Sequence, residues 1–134
     1  MMETSNKSVT ISIDQKKKRI RIYKSMLQLL GFPKYIQLLV NPKNKFVAIK
    51  GVNVQRPGDQ TERIKPLELM AKDSYELYSK AFIEKLCQVY GELKPNCTYR
   101  LTGNIVLSHN MAVFSVDTLT PVEGKEDLAW KNLK

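Results

Sequence analysis

The amino-acid sequence predicts a mixed α/β protein, mainly β: two strand–helix–hairpin repeats closed into one intertwined β-barrel-like core with short peripheral helices. Three observations predict it. Short segments of period-two alternation dominate the chain. A strand, a helix and a hairpin occur in that order twice. Each set of strands is too short to be stable alone, so the halves must bury against each other. A length of 134 residues suits one compact domain or two half-domains sharing a core. The expected organisation is a first basic unit over 1–52, a linker over 53–73, a second unit over 74–120 and a tail over 121–134. A saddle-like pair of sheets, in which both copies form one continuous antiparallel sheet, is the alternative arrangement.

The first unit opens with Val9–Asp14, which alternates as a strand does. Arg19–Tyr23 alternates too, with Ile20 and Ile22 on one face and Arg19, Arg21 and Tyr23 on the other. Such a strand can bury its isoleucines and show its arginines. Tyr23 either packs under the following helix or meets a phosphate or sugar. A helix starts near Ser25, an N-cap type, and stops at Gly31, a C′ type, with Pro33 beyond. Met26, Leu27, Leu29 and Leu30 form its apolar face. Tyr35–Val40 and Phe46–Ile49 then flank Asn41-Pro42-Lys43-Asn44 and read as a hairpin.

Between the units, Arg56-Pro57-Gly58-Asp59 reads as a turn and Lys65-Pro66 as a helix blocker, with one helical turn near Leu67–Ala71. The second unit repeats the pattern. Ser74–Tyr78 is its strand, and a longer helix covers about 80–90 with Phe82, Ile83, Leu86, Val89 and Tyr90 at helical spacing. Tyr99–Leu107 and Met111–Val116 flank the turn Ser108-His109-Asn110, and Gly103 suggests a bulge. The tail is polar except for Leu128 and Trp130 and reads either as a short amphipathic docking helix or as disordered.

Charge is the most uneven property of the chain. Residues 1–50 carry eleven Lys/Arg against two Asp/Glu, whereas residues 51–134 carry eleven of each. The formal net charge of +9 therefore belongs to the first segment, around Lys16-Lys17-Lys18-Arg19-Ile20-Arg21-Ile22-Tyr23-Lys24. A lopsided charge presents a field on one face and suggests a polyanionic partner, the plainer reading being a solvated basic surface.

Other classes find little support. No apolar run approaches the roughly 20 residues that span a bilayer, so no membrane partner is expected. The start lacks an apolar h-region, which predicts no secretory signal. Cys87 and Cys97 read as free thiols of a cytoplasmic protein. One His and two distant Cys give no zinc spacing, and no cofactor is expected. No enzyme is expected either. His109 reads as a turn residue, nothing signals convergence of Ser108, His109 and Asp117 with an oxyanion hole, and the glycines are scattered as caps and turns.

Residues 9–50 carry a resemblance. Lys18-Arg19-Ile20-Arg21-Ile22-Tyr23-Lys24, Leu29-Leu30-Gly31 and the hairpin Tyr35–Val40 with Phe46–Ile49 resemble the AbrB/MazE swapped-hairpin family. With the second copy the chain is similar to a tandem arrangement of the MraZ type, in which one chain carries both halves of a pseudo-dimer. The resemblance implies a swapped-hairpin core and either a DNA-binding transcriptional regulator or the antitoxin half of a toxin–antitoxin pair.

The expected nucleic-acid-binding residues are Lys16, Lys17, Lys18, Arg19, Arg21 and Lys24, with Lys43 and Lys45 joining only if folding brings them to the same edge. Lys and Arg pair with phosphate, Arg can also bind guanine edges, and a two-stranded ribbon is narrow enough for the major groove. The expected partner is duplex DNA. Only one unit is basic, so a palindromic site would need a homodimer or higher homo-oligomer. Single-stranded nucleic acid or RNA is an alternative, as is an interaction protein with an acidic partner or a tail that docks through Trp130.

Overall fold

Alternating strands, each with one apolar face, roll into a nearly closed antiparallel barrel. The computed structural model of the chain describes residues 4–57 and 61–122. In order, these form β1 (Thr4–Asp14), β2 (Arg19–Tyr23), α1 (Lys24–Leu29), β3 (Tyr35–Asn41), β4 (Phe46–Val52) and β5 (Thr61–Arg63). There follow α2 (Pro66–Ala71), β6 (Ser74–Tyr78), α3 (Lys80–Tyr90), β7 (Thr98–Val106), β8 (Met111–Ser115) and β9 (Thr120–Val122). The strands lie in the order β5-β3-β4-β8-β7-β1-β2-β6 in one continuous sheet, with β9 also on β7.

The alternation fixes which side faces in. Ile11 and Ile13 of β1, Ile20 and Ile22 of β2, Ile36 of β3, Val47 and Ile49 of β4, Leu101 and Ile105 of β7, and Phe114 of β8 are all buried. Each such side chain contributes about 2 kcal/mol by leaving water. The helices close the ends. At one end, α3 buries Phe82, Ile83 and Leu86, and its Cys87 lies beside Gln15 of the β1–β2 turn. At the other, α1 buries Met26 and Leu27, and Asn110 Nδ2 donates to the carbonyls of Leu30 and Gly51 at 3.1 and 3.2 Å.

The seam lies between β5 and β6. Among the described residues no strand pairing is present there; instead the Tyr75 hydroxyl accepts from Lys65 N–H at 2.8 Å and donates to the Arg63 carbonyl at 3.2 Å.

Several sequence expectations need correction. Tyr23, not Ser25, is the N-cap of α1 and makes no side-chain cap. Pairing of β2 persists through Tyr23, so the helix starts at once, and Lys24 N–H is taken by the Asp73 carbonyl at 2.8 Å. Pro66 does not block a helix but starts α2 at its first position, where a missing N–H costs nothing. The stretch 53–73 contributes β5, paired with β3, besides that helix. Gly103 marks no bulge. Its register runs regularly against both β1 and β8, and a Cβ there would collide with the Val113 carbonyl oxygen, so close strand approach demands the glycine. Leu128 and Trp130 lie outside the described residues, as do Gly58 and Asp59.

Candidate nucleic-acid interface

The β1–β2 turn is built around Gln15. Its backbone N–H donates to the Cys97 carbonyl at 3.2 Å, its side-chain oxygen accepts from Lys18 Nζ at 2.8 Å, and Asp14 accepts from Lys17 N–H at 3.2 Å. Lys16 and Lys17 are exposed at its tip, and Lys18 is partly buried. The β3–β4 turn has a similar finish. Lys18 (φ 52°) and Lys45 (φ 58°) both take the left-handed conformation just before a strand begins. Lys43 and Lys45 are exposed.

Register puts the two turns at the same end of the barrel. Asp14 pairs with Thr98 at the start of β7, and Thr98 pairs with Val122. Phe46 pairs with Ser115, and Val116 N–H continues that ladder to the Lys45 carbonyl at 2.9 Å. Chain 116–122 thus runs along β7 from one turn to the other. Three inter-strand spacings separate β4 from β1, about 14 Å around the wall, and the register, which sets Val47 level with Phe114, Gly103 and Val9, offsets the two turns by about 13 Å along the strands. Lys43 and Lys45 therefore lie at the same end of the barrel as Lys16, Lys17 and Lys18, on a separate turn. Lys24 does not. It lies six residues beyond Lys18, about 20 Å along an extended strand, at the start of α1.

Arg19 and Arg21 occupy the outer face of β2, as the alternation implies, but they are matched. Glu76, Arg21, Ser12 and Arg100 stand in one row across β6, β2, β1 and β7. Tyr78, Arg19, Asp14 and Thr98 stand in another. Arg21 meets Glu76 at 2.8 Å, and Arg19 meets Asp14 at 2.9 Å and Glu76 at 3.4 Å. The Arg19 side chain is only 18% exposed and that of Arg21 40%. Tyr23 shares the face and hydrogen-bonds Ser12 through its hydroxyl at 3.2 Å, so it neither packs under the helix alone nor stands free. Since β2 is held between β1 and β6, the β1–β2 pair is part of the wall, not a free ribbon that could enter a groove.

The ion pairs shift two groups. A hydrogen bond from Arg21 holds the Glu76 carboxyl below its ordinary value; burial opposes this, and Arg19, Arg21 and Lys72 add to it by their charge. Burial would lower the Arg19 guanidinium, but Glu76, a hydrogen bond with Tyr78 and the charge of Asp14 outweigh it and raise it.

Sequence reasoning missed Arg100. It lies in the neutral part of the chain, and only the β1–β7 register sets it opposite Ser12. With Asp14, Arg19, Arg21 and Tyr23 it lines an outer-face cleft of about 220 Å³, and it belongs to no ion pair among the described residues. His109 and Asp117 lie beyond opposite ends of β8, so Ser108, His109 and Asp117 do not converge. Among the described residues no group of three His, Cys, Asp or Glu could hold a metal, and no helix is long and apolar enough to cross a membrane. No protein-family model, curated protein or solved structure matches the chain.

Proposed function

We propose that the chain is a cytoplasmic AbrB-like regulator that binds duplex DNA with the lysine-bearing end of its barrel. One observation carries this reading: two separate hairpin turns bring Lys16, Lys17, Lys43 and Lys45, all exposed, to one end of the barrel. Phosphates are spaced so that a row of separated lysines meets several at once. Arg100, without an ion pair among the described residues, would extend the contact onto the outer face. Arg19 and Arg21 act in this reading mainly by setting the shape of that face, their charge being balanced locally.

The reading includes an intramolecular pseudo-dimer with swapped hairpins. The sheet order supports it. Exchanging β1 with β5, β3 with β7 and β4 with β8 turns β5-β3-β4-β8-β7-β1 into the same order read backwards. β1 pairs with the hairpin of the second unit, and β5, which precedes that unit's β6, pairs with the hairpin of the first. Arg21 and Glu76, which occupy equivalent positions in the two copies, face each other across the β2–β6 ladder, as they would on a pseudo-two-fold axis. With one basic half, the chain needs a homodimer to meet a palindromic site.

A binding assay against duplex DNA, single-stranded DNA and RNA at two salt concentrations tests this. Four to five neutralised phosphates give a log–log salt slope near −4 for the duplex. Absence of duplex binding at low salt, or binding that ignores salt, removes the reading. Phe46, 41% exposed and adjacent to Lys45, favours a second reading as a single-strand or RNA binder, because an exposed ring beside cations can stack a base. In that case single strands bind best, and Phe46→Ala weakens them selectively.

A further inference from the structure

A cleft of about 690 Å³ lies beside α1, between the loop that follows it, β5 and α2. That volume is in the range of small-molecule sites. Its walls include Phe32, Tyr35, Ile64 and Met70, and Lys24, Lys34 and Arg63 also line it. Among the described residues no carboxylate lines it, and none of the three cations is in an ion pair. This separates it from the arginine face of β2, where each cation of the strand has an acidic neighbour.

The fold assembles the cleft from distant pieces. The β3–β5 ladder sets Tyr35 opposite Arg63, and Ile64 N–H donates to the Lys34 carbonyl at 2.9 Å. Lys24 arrives at the first residue of α1. Phe32 takes φ 47°, its N–H bonds to the Leu27 carbonyl at 2.8 Å, and the residue is 46% exposed. A left-handed phenylalanine is strained, so an exposed ring in that conformation is not explained by burial. Met70 of α2 is 75% exposed. Apolar walls alone would suit a neutral ligand, and clustered cations alone a bare phosphate. Together, uncompensated positive charge and exposed apolar surface call for both in one molecule.

We propose that this cleft binds an amphiphilic organic anion: an apolar chain or ring bearing a single carboxylate, sulfonate or phosphate. The head group meets Lys24, Lys34 and Arg63, and the body covers Phe32, Tyr35, Ile64 and Met70. Lys24, expected from the sequence to touch nucleic acid, belongs to this site instead. The site lies away from the lysine-bearing turns and does not depend on the nucleic-acid reading.

Calorimetric titration of the full chain with octanoate, octanol and acetate tests the assignment. Octanoate is expected to bind saturably at one site, at least tenfold more tightly than octanol, and acetate not to register. Lys34→Gln with Arg63→Gln removes the preference for octanoate over octanol while leaving octanol binding in place. Met70→Asp, at an exposed position that leaves the fold intact by thermal melting, loses both. Equal affinity for octanoate and octanol overturns the proposal, as does an unchanged preference in the double variant. A cleft covered by a second copy also overturns it: sedimentation would then find a dimer that Met70→Asp dissociates, with no octanoate bound to either form.

Discussion

The arginines of β2 and the lysines of the two hairpin turns come from the same basic segment, yet the fold treats them oppositely. Arg19 and Arg21 stand in a sheet, where every outward side chain has cross-strand neighbours at about 5 Å, and those neighbours are Asp14 and Glu76. Lys16, Lys17, Lys43 and Lys45 stand in turns, where the chain reverses and no neighbour is imposed. A cation in a strand is drawn into the local charge balance where the register sets a carboxylate beside it, as for Arg19 and Arg21 and not for Arg100 opposite Ser12. A cation in a turn stays available to a partner. Sequence clustering alone does not make this distinction.

The largest effect separates the strand's two faces. Ile22 is fully buried directly behind the arginine face, so Ile22→Ala should destabilise the fold by about 2–5 kcal/mol, read by urea unfolding, while on the proposed function the folded fraction binds duplex DNA as the native chain does. Next, Lys16→Ala with Lys17→Ala should reduce the salt slope of duplex binding by about two and weaken binding about tenfold or more at moderate salt. Arg21→Ala should change the slope by less than one, because Glu76 already balances its charge. An arginine effect as large as that of the lysine pair would erase the comparison.

A smaller effect sharpens it. Glu76→Gln keeps the shape of the outer face but releases Arg21 and one partner of Arg19. Duplex binding should tighten a few-fold and its salt slope steepen by up to about one. The same variant should change the acid limb of stability. The folded Glu76 carboxyl lies below its ordinary value of 4.5, so its contribution is fully present above that value and is lost as pH falls through the lowered one. The difference in urea midpoint between the native chain and Glu76→Gln should therefore be constant near neutrality and shrink on acidification. A difference independent of pH would mean that the carboxylate gains nothing from its arginines.

Long elements with a clear period were legible. The alternation of Arg19–Tyr23 gave the right inward pair, Ile20 and Ile22, and the helix over 80–90 was readable from its apolar spacing. What escaped was short or non-local. Three-residue strands such as β5 and β9 hold too little alternation to register, and Pro66 can either stop a helix or start one, depending on where the chain comes from. Glu76 stands out in no pattern of its own in the sequence. In the fold it is the partner of Arg21, which is visible only once β2 and β6 are aligned. Arg100 needed the register between residues about 90 apart in sequence.

By itself the sequence determined the mainly β architecture, the faces of its longer strands and the confinement of net charge to the first 50 residues. These depend on periodicity and composition, which are local properties of a chain. Only the tertiary structure decided that two lysine-bearing turns share one end, that Arg19 and Arg21 are balanced, and that Lys24 leaves their company for a cleft with Lys34 and Arg63. Those outcomes depend on which strands pair and in what register. Pairing is chosen by burying all the apolar faces at once, so the positions of the charges follow from the core and not from their own spacing along the chain.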